Sequence, residues 1–384
     1  MSQKGQQDLR IHYLDSWRGI AAVAVVLFHL LAPLRDAFHS KGKMFEITRV
    51  LFDGTDWVSF FFVLSGFALS YGYLVGDKKI SISDFYIKRF LRIYPLYLFA
   101  LGLCFLVEIQ HAPYAIRPLM REAFLFSRFS SLLVPGWSLS VEICCSLLMP
   151  LIITLAMTNR YHFWLAAVFS LLLYNTPGTS QIGFAGFLFH FFLGAGVAML
   201  MKHPKENPVV LYFHKMSGIK VVLLLLFGYL LFSFRWYAYI FQNFDYQIHR
   251  LCDFLNMDYH QIFFYISGVV SFMIILITIG NTQIQKILSL RPFLFLGKIS
   301  FSIYLIHFPI IKFAFIRTYD LIKSMGINNY YFEALAIVLI IISMVLLVSY
   351  MTYISIEKPF INIAKKLVVS PKYLSLREKI KYNL

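Results

Sequence analysis

The stretch YFEALAIVLIIISMVLLVSYMTYI, residues 331–354, decides the fold class. It holds one acid, Glu333, close to its start, and is otherwise an Ile/Val/Leu run. A helix that crosses hydrocarbon needs about 20 mostly apolar residues. Working outward, nine further segments meet that description: 17–34, 57–75, 93–110, 137–157, 161–175, 183–201, 219–234, 262–280 and 299–316. The chain is therefore expected to be all-α, a polytopic integral membrane protein of about ten transmembrane helices. Of these, 161–175 and 219–234 are the shortest.

Composition agrees. Of 384 residues, 59% are hydrophobic and 14% charged, where soluble domains carry about 25% charged residues. The deficit runs the whole length, and a soluble globule has no use for so much apolar surface. Phe (40) and Tyr (24) are both abundant, as lipid contact and interfacial belts require. The segment before the first span is polar and no small-residue cleavage site follows that span, so it reads as a retained helix rather than a leader. Cys104, Cys144, Cys145 and Cys252 have neither metal nor disulfide spacing. Pro33, Pro113, Pro118, Pro135-Gly136, Pro177-Gly178, Pro204, Pro208 and Pro292 read as breaks between segments.

The net charge of +16 would suggest a nucleic-acid partner in a soluble protein. In a membrane protein its distribution sets orientation instead, and no nucleic acid is expected. With the N-terminus inside and ten alternating spans, 23 of the 35 Lys and Arg residues fall in the inside segments 1–18, 76–92, 158–162, 202–220, 281–298 and 355–384. The positive-inside rule then puts both termini in the cytoplasm. The basic tail, about 357–384, is suited to anionic lipid.

Ionisable groups within spans are expensive and mark function first. The first span opens Asp15-Ser16-Trp17-Arg18-Gly19-Ile20-Ala21 and reaches His29. Eleven residues make about three helical turns, so Arg18 and His29 point the same way about 16 Å apart. Arg18 also suits a positive-inside anchor, and Asp15 and Ser16 suit a helix cap. The second span holds Asp56, then Phe61-Phe62-Val63-Leu64-Ser65-Gly66-Phe67, where Ser65-Gly66 permits close helix approach. Asp56 is equally a plain loop acid. Arg89-Phe90-Leu91-Arg92-Ile93-Tyr94-Pro95 puts two arginines on one helix face, either to grip phosphate or to snorkel. Trp137-Ser138-Leu139-Ser140-Val141-Glu142 sets a carboxylate one to two turns inside the outer surface. Gly297-Lys298-Ile299-Ser300 runs on through Tyr304 to His307 at mid-membrane, where a histidine is also an ordinary core residue. No phosphate-binding glycine loop or metal motif occurs. On these residues alone the protein is a membrane enzyme or a transporter with a protonatable centre.

Taken in order from residue 15 to about 310, these five blocks resemble the acyltransferase 3 family of membrane O-acyltransferases. The resemblance implies ten core helices in one membrane domain, residues 1–384, in the bacterial cytoplasmic (inner) membrane. It implies acetyl-CoA as the donor. The implied acceptor is a sugar hydroxyl on a cell-surface glycan such as O-antigen, capsule or exopolysaccharide, or on its lipid-linked precursor. Arg18, Arg89 and Arg92 are implied as the acyl-CoA-binding residues and His29 and Glu142 as the catalytic pair. Asp15, Asp56, Ser138, Tyr304 and His307 support them, and no metal is implied. Some members carry an extra extracytoplasmic domain; this chain resembles the stand-alone ones, with no such fused domain expected.

Acyl transfer to a hydroxyl needs a base and charge stabilisation. Imidazole titrates near neutral pH, which makes His29 the expected base, with Glu142 orienting it or stabilising its imidazolium. Direct transfer is expected, since no nucleophile is marked; Ser65 and Ser138 are the alternatives. Two rival readings stay open: a proton-coupled transporter, and a non-catalytic partner in glycan assembly.

Overall fold

The computed structural model describes residues 11–38, 54–76, 81–109, 116–124, 132–172, 184–202, 206–232, 246, 249–250, 259–327 and 329–369. Helix is the only regular structure among them. In chain order the helices are α1 (His12–Ala37), α2 (Gly54–Leu74), α3 (Ile82–Glu108), α4 (Ile116–Ala123), α5 (Gly136–Thr158), α6 (Arg160–Leu172) and α7 (Leu188–Leu200, entered by the 3-10 turn Ala185–Phe187). Next come α8 (Pro208–Lys215), α9 (Gly218–Phe232), α10 (Tyr259–Gly280), α11 (Thr282–Leu288), α12 (Arg291–Ser324) and α13 (Tyr330–Thr352). The π-helical turn Tyr353–Glu357 leads into α14 (Lys358–Val369).

Each of the ten expected segments meets a helix, but not every helix is a full span. Seven described helices (α1, α2, α3, α5, α10, α12 and α13) are long and apolar enough to cross a membrane, or eight spans if α8 and α9, bent by 115°, form one. The expected ten is not reached among the described residues. Helices α6 and α7 have 13 residues each, about 20 Å of rise against roughly 30 Å of hydrocarbon. Residues 173–175, 183 and 233–234 of the expected segments, most of the loop 235–261, Cys252 and the basic tail beyond 369 lie outside the described residues.

Local chemistry sets the boundaries. Asn207, Asn281 and Asn329 cap α8, α11 and α13, each side chain accepting from two backbone N–H groups of the first turn. Asn159 does the same for Tyr161 and His162, which parts α6 from α5. Pro33, read as a break, lies inside α1, and Pro95, Pro150 and Pro309 are also intrahelical. Membrane helices tolerate this because neighbouring groups can satisfy the carbonyl freed four residues before the proline. Pro118 and Pro292 open helices rather than separate them.

The described residues group into two compact units. The first comprises Met1–Phe28, Lys41–Lys79 and Val141–Ser300. In it α2, α7 and α10 pack mutually. The close approach expected at Ser65-Gly66 is present: a Cβ on Gly66 would stand 2.4 Å from Phe191 O, and one on Gly194 2.0 Å from Val63 O. Only a residue without a side chain fits between these backbones. Helix α1 meets α12 in the same way, with a Cβ on Gly19 2.5 Å from Gly297 N. Ser16 Oγ donates to Leu288 O at 2.6 Å and Trp17 Nε1 to Thr278 Oγ1 at 3.0 Å. Ser16 is therefore an interhelical tie inside α1, not its cap.

The second unit comprises His29–Ser40, Ile80–Ser140 and Phe301–Leu384. Here α3 packs against α4, α14 and the π turn. Ion pairs Lys312–Glu108 (2.8 Å) and Lys323–Glu333 (2.5 Å) join its helices, and Ser302 Oγ donates to the buried Glu357 at 2.7 Å.

The glycine contact is testable. Gly194→Val forces a side chain against backbone, an overpacking that costs about 1–3 kcal/mol or more. It should lower the melting temperature in detergent and deplete the monodisperse peak on size-exclusion chromatography. Gly102→Val, at a site with nothing within 4 Å of the added Cβ, should leave both near parental. Equal behaviour of the two variants would contradict the packing account.

Candidate functional site

The second unit gathers most of the expected residues. His29 lies in the second half of α1 and is partly exposed. Beside it, at 5.2 Å between ring centroids, is His307 of α12, which is fully buried. The ring of Phe308 meets His29 edge-on at 5.6 Å. Gly19 against Gly297, and His29 against His307 ten residues further along each helix, show that α1 and α12 run parallel.

His307 Nδ1 lies 3.2 Å from the Ile303 carbonyl one turn back. A carbonyl only accepts, so this contact places the hydrogen on Nδ1 and the lone pair on Nε2. Nε2 is buried and has no hydrogen-bond partner among the described residues. One turn away, the Tyr304 hydroxyl is 2.6 Å from Ser138 Oγ. Both hydroxyls reach Pro135 O, Ser138 at 2.8 Å and Tyr304 at 3.4 Å. Ser138 and Tyr304 thus fasten the start of α5 to α12.

Arg89 and Arg92 sit on α3 in the same unit, both partly buried, while Lys88 just before them is exposed. The two arginines share the inward face expected from their spacing. The π turn and α14 pack on this helix. The turn holds Glu357, buried and bonded to Ser302. Hydropathy gave no sign of Glu357, which closes an apolar run directly before the basic tail. A π turn widens the helix by one residue and often marks a functional position.

Residues 111–136, expected as an outer loop, partly fold back along α3. Tyr94 and Tyr97 donate to the Ala123 and Glu122 carbonyls, each at 2.7 Å. These tyrosines stand 14 and 11 residues before Glu108, the last residue of α3, roughly 16–21 Å along the axis. Helix α4 therefore lies beside the middle of α3, not at its end. The Glu122 side chain, 1% exposed, accepts from Leu132 N at 3.0 Å and Leu133 N at 3.2 Å. That clasp fixes the approach to Pro135 and α5. The sequence signal was two tyrosine hydroxyls three residues apart in an apolar span, each needing an acceptor.

The other expected residues belong to the first unit. Ser65 Oγ donates to Glu142 Oε1 at 3.1 Å. Asp56 is no loop acid: it is 5% exposed in the first turn of α2 and accepts from Ser267 Oγ at 2.5 Å. Asp15 and Arg18 lie near the start of α1, both partly exposed. A second buried histidine, His190, carries no motif that marks it in the sequence. Its Nε2 meets Phe264 O at 2.9 Å within a wall of Phe62, Phe187 and Phe189, the setting of a packing residue. No cluster of three metal-ligating side chains occurs among the described residues.

Residues 11–354 match a known protein family, the Acyltransferase domain. Curated relatives include the O-acetyltransferase OatA of Staphylococcus aureus strains NCTC 8325, COL and MRSA252, each 25% identical over 393 aligned residues. The alignments take in 90% of this chain but 56% of each relative, so the chain spans about half the length of the curated relatives it matches. No solved structure matches.

The Glu122 clasp yields a stability prediction. Glu122→Ala strands two buried N–H donors and should destabilise the protein by about 2–4 kcal/mol. Glu122→Gln keeps one acceptor and should lose about half as much. Thermal unfolding in detergent measures both. An alanine variant that melts with the parent would contradict the clasp.

Proposed function

Because the chain belongs to the Acyltransferase family, we propose that it transfers acetyl from acetyl-CoA to a sugar hydroxyl of a bacterial cell-surface glycan, working in the inner membrane. The observation that carries this is His29, partly exposed and backed by the buried His307, in one unit with the inward-turned Arg89 and Arg92. The relatives' name supports the acetyl group and the oxygen acceptor. O-antigen, capsule and exopolysaccharide are the acceptors favoured.

In this mechanism His29 takes the proton of the acceptor hydroxyl as its oxygen attacks the thioester carbonyl. A tetrahedral adduct forms and the carbon–sulfur bond breaks. The electron pair leaves on sulfur, and the proton returns from the imidazolium to the thiolate. Arg89 and Arg92 hold CoA phosphates, for which the arginine fork is shaped. Arg18, Glu142, Asp15 and Asp56 enter on the family's motifs. The excess of Lys and Arg in the inside segments supports cytoplasmic termini, and with them a cytoplasmic entry for the donor.

Three measurements test this. Glycans from cells with and without the gene should differ by one acetyl group per modified sugar on mass spectrometry; identical spectra would contradict the reading. His29→Ala should cut acetylation at least 100-fold, the usual worth of a general base, while the protein still accumulates in membranes. Near-normal acetylation would remove His29 from this role. Arg92→Ala should raise the KM for acetyl-CoA about tenfold or more, the worth of one charge-assisted contact of about 1.5–3 kcal/mol. The KM for acceptor should stay within about twofold; an unchanged KM for acetyl-CoA would contradict phosphate binding there.

A further inference from the structure

We propose that His307 is the positioning residue for His29: its Nε2 lone pair receives one ring N–H of His29 and so decides which His29 nitrogen is left to act as base. The inference rests on the acyl-transfer reading above and deepens it.

Three observations converge. The Nδ1 contact with Ile303 O at 3.2 Å fixes the tautomer of His307 and leaves Nε2 bare. Nε2 is buried in a residue of 0% exposure and has no hydrogen-bond partner among the described residues. A buried acceptor left unsatisfied carries a desolvation penalty, so one retained at a functional position has a donor to meet. The described ring beside it that carries an N–H is His29, with centroids 5.2 Å apart and planes inclined by 34°; the two are not hydrogen-bonded in this structure, and the proposed bond forms by a turn of the His29 ring. Among the described residues the other rings and side chains named against His307 offer no rival. Tyr304, at 6.1 Å between rings, has its hydroxyl engaged with Ser138 and Pro135, and Phe308 and Ile303 have no polar side chain.

A base with two equivalent nitrogens needs a third group to orient it, as in every nucleophile–base–orienter arrangement. A carboxylate usually fills that place. Here a neutral imidazole would do so without bringing a second charge into the site. With one His29 N–H directed at His307 Nε2, the opposite nitrogen carries the lone pair that takes the acceptor's proton. His29 is then an imidazolium with two N–H groups. One stays on His307 and the other protonates the departing thiolate. His307 neither gains nor loses a proton over the cycle. The exposure difference agrees: the partly exposed ring meets substrate and the buried ring stands behind it.

The test uses the full-length protein in detergent or vesicles and two variants. His307→Leu removes the acceptor and keeps an apolar fill; His307→Gln replaces the ring nitrogen with an amide oxygen that still accepts. The proposal expects His307→Leu to lower kcat about 100-fold with the KM for acetyl-CoA within about twofold, and His307→Gln to keep at least a tenth of parental kcat. Leu within threefold of parent, or Gln as poor as Leu, overturns it. If the parent transfers no acetyl at all, the acyl-transfer reading fails, and nitrogen-15 NMR of histidine-labelled protein decides the inference by itself. A His307 ring protonated at Nδ1 and bare at Nε2, whose Nε2 signal moves when His29 is replaced by Asn, supports it. An Nε2–H tautomer, or a signal indifferent to that replacement, overturns it.

Discussion

A polar group carried into hydrocarbon finds no water to bond, and each one left unsatisfied costs several kcal/mol. That constraint organises the chain. It makes helix the only regular structure among the described residues, because helix satisfies the backbone within each segment. It explains why so many Ser and Thr hydroxyls turn back onto the carbonyl one turn earlier, as Ser70, Ser146, Ser271 and Thr278 do. It explains why the buried acids come with donors: Glu122 with two backbone N–H groups, Asp56 with Ser267, Glu357 with Ser302. The bare Nε2 of His307 is one of the few exceptions among the described residues, with His190 Nδ1 and Ser349 Oγ among the others, and it lies beside the residue chosen as base on other grounds.

The same constraint says what was legible in the sequence. Long apolar runs are read by composition alone, so α1, α2, α3, α5, α10, α12 and α13 fell where expected. Ionisable residues inside them stood out by their cost, which is how His29, His307 and Glu142 were found. Helix breaks were less legible. Pro33 was read as an end because proline ends soluble helices, yet α1 runs on to Ala37. The parting of α5 from α6 was legible: the interval between segments 137–157 and 161–175 falls at the Asn159 cap. The 115° bend between α8 and α9 falls at Met216-Ser217, which no proline marks.

The site was legible as residue types, not as an arrangement. Spacing put Arg89 and Arg92 on one face, and both turn inward. Spacing said nothing of His307 meeting His29, because 278 residues separate them and only the parallel packing of α1 and α12, set by Gly19 and Gly297, brings them level. Nor did it reveal α4 beside the middle of α3. Glu122 lies in a stretch that hydropathy reads as loop, and its burial is a consequence of bonds made to Tyr97, Leu132 and Leu133. Residues whose role depends on a distant partner are visible only once the fold supplies that partner.

The central claim is that this bundle passes acetyl from a soluble thioester to a glycan hydroxyl. The most direct measurement reconstitutes the purified protein in vesicles. Carbon-14 acetyl-CoA is supplied outside, and envelope glycan from cells lacking the gene is sealed inside. The account predicts label in the recovered glycan, in proportion to the protein in the vesicles. Label that stays wholly with CoA while the glycan remains unlabelled would contradict it.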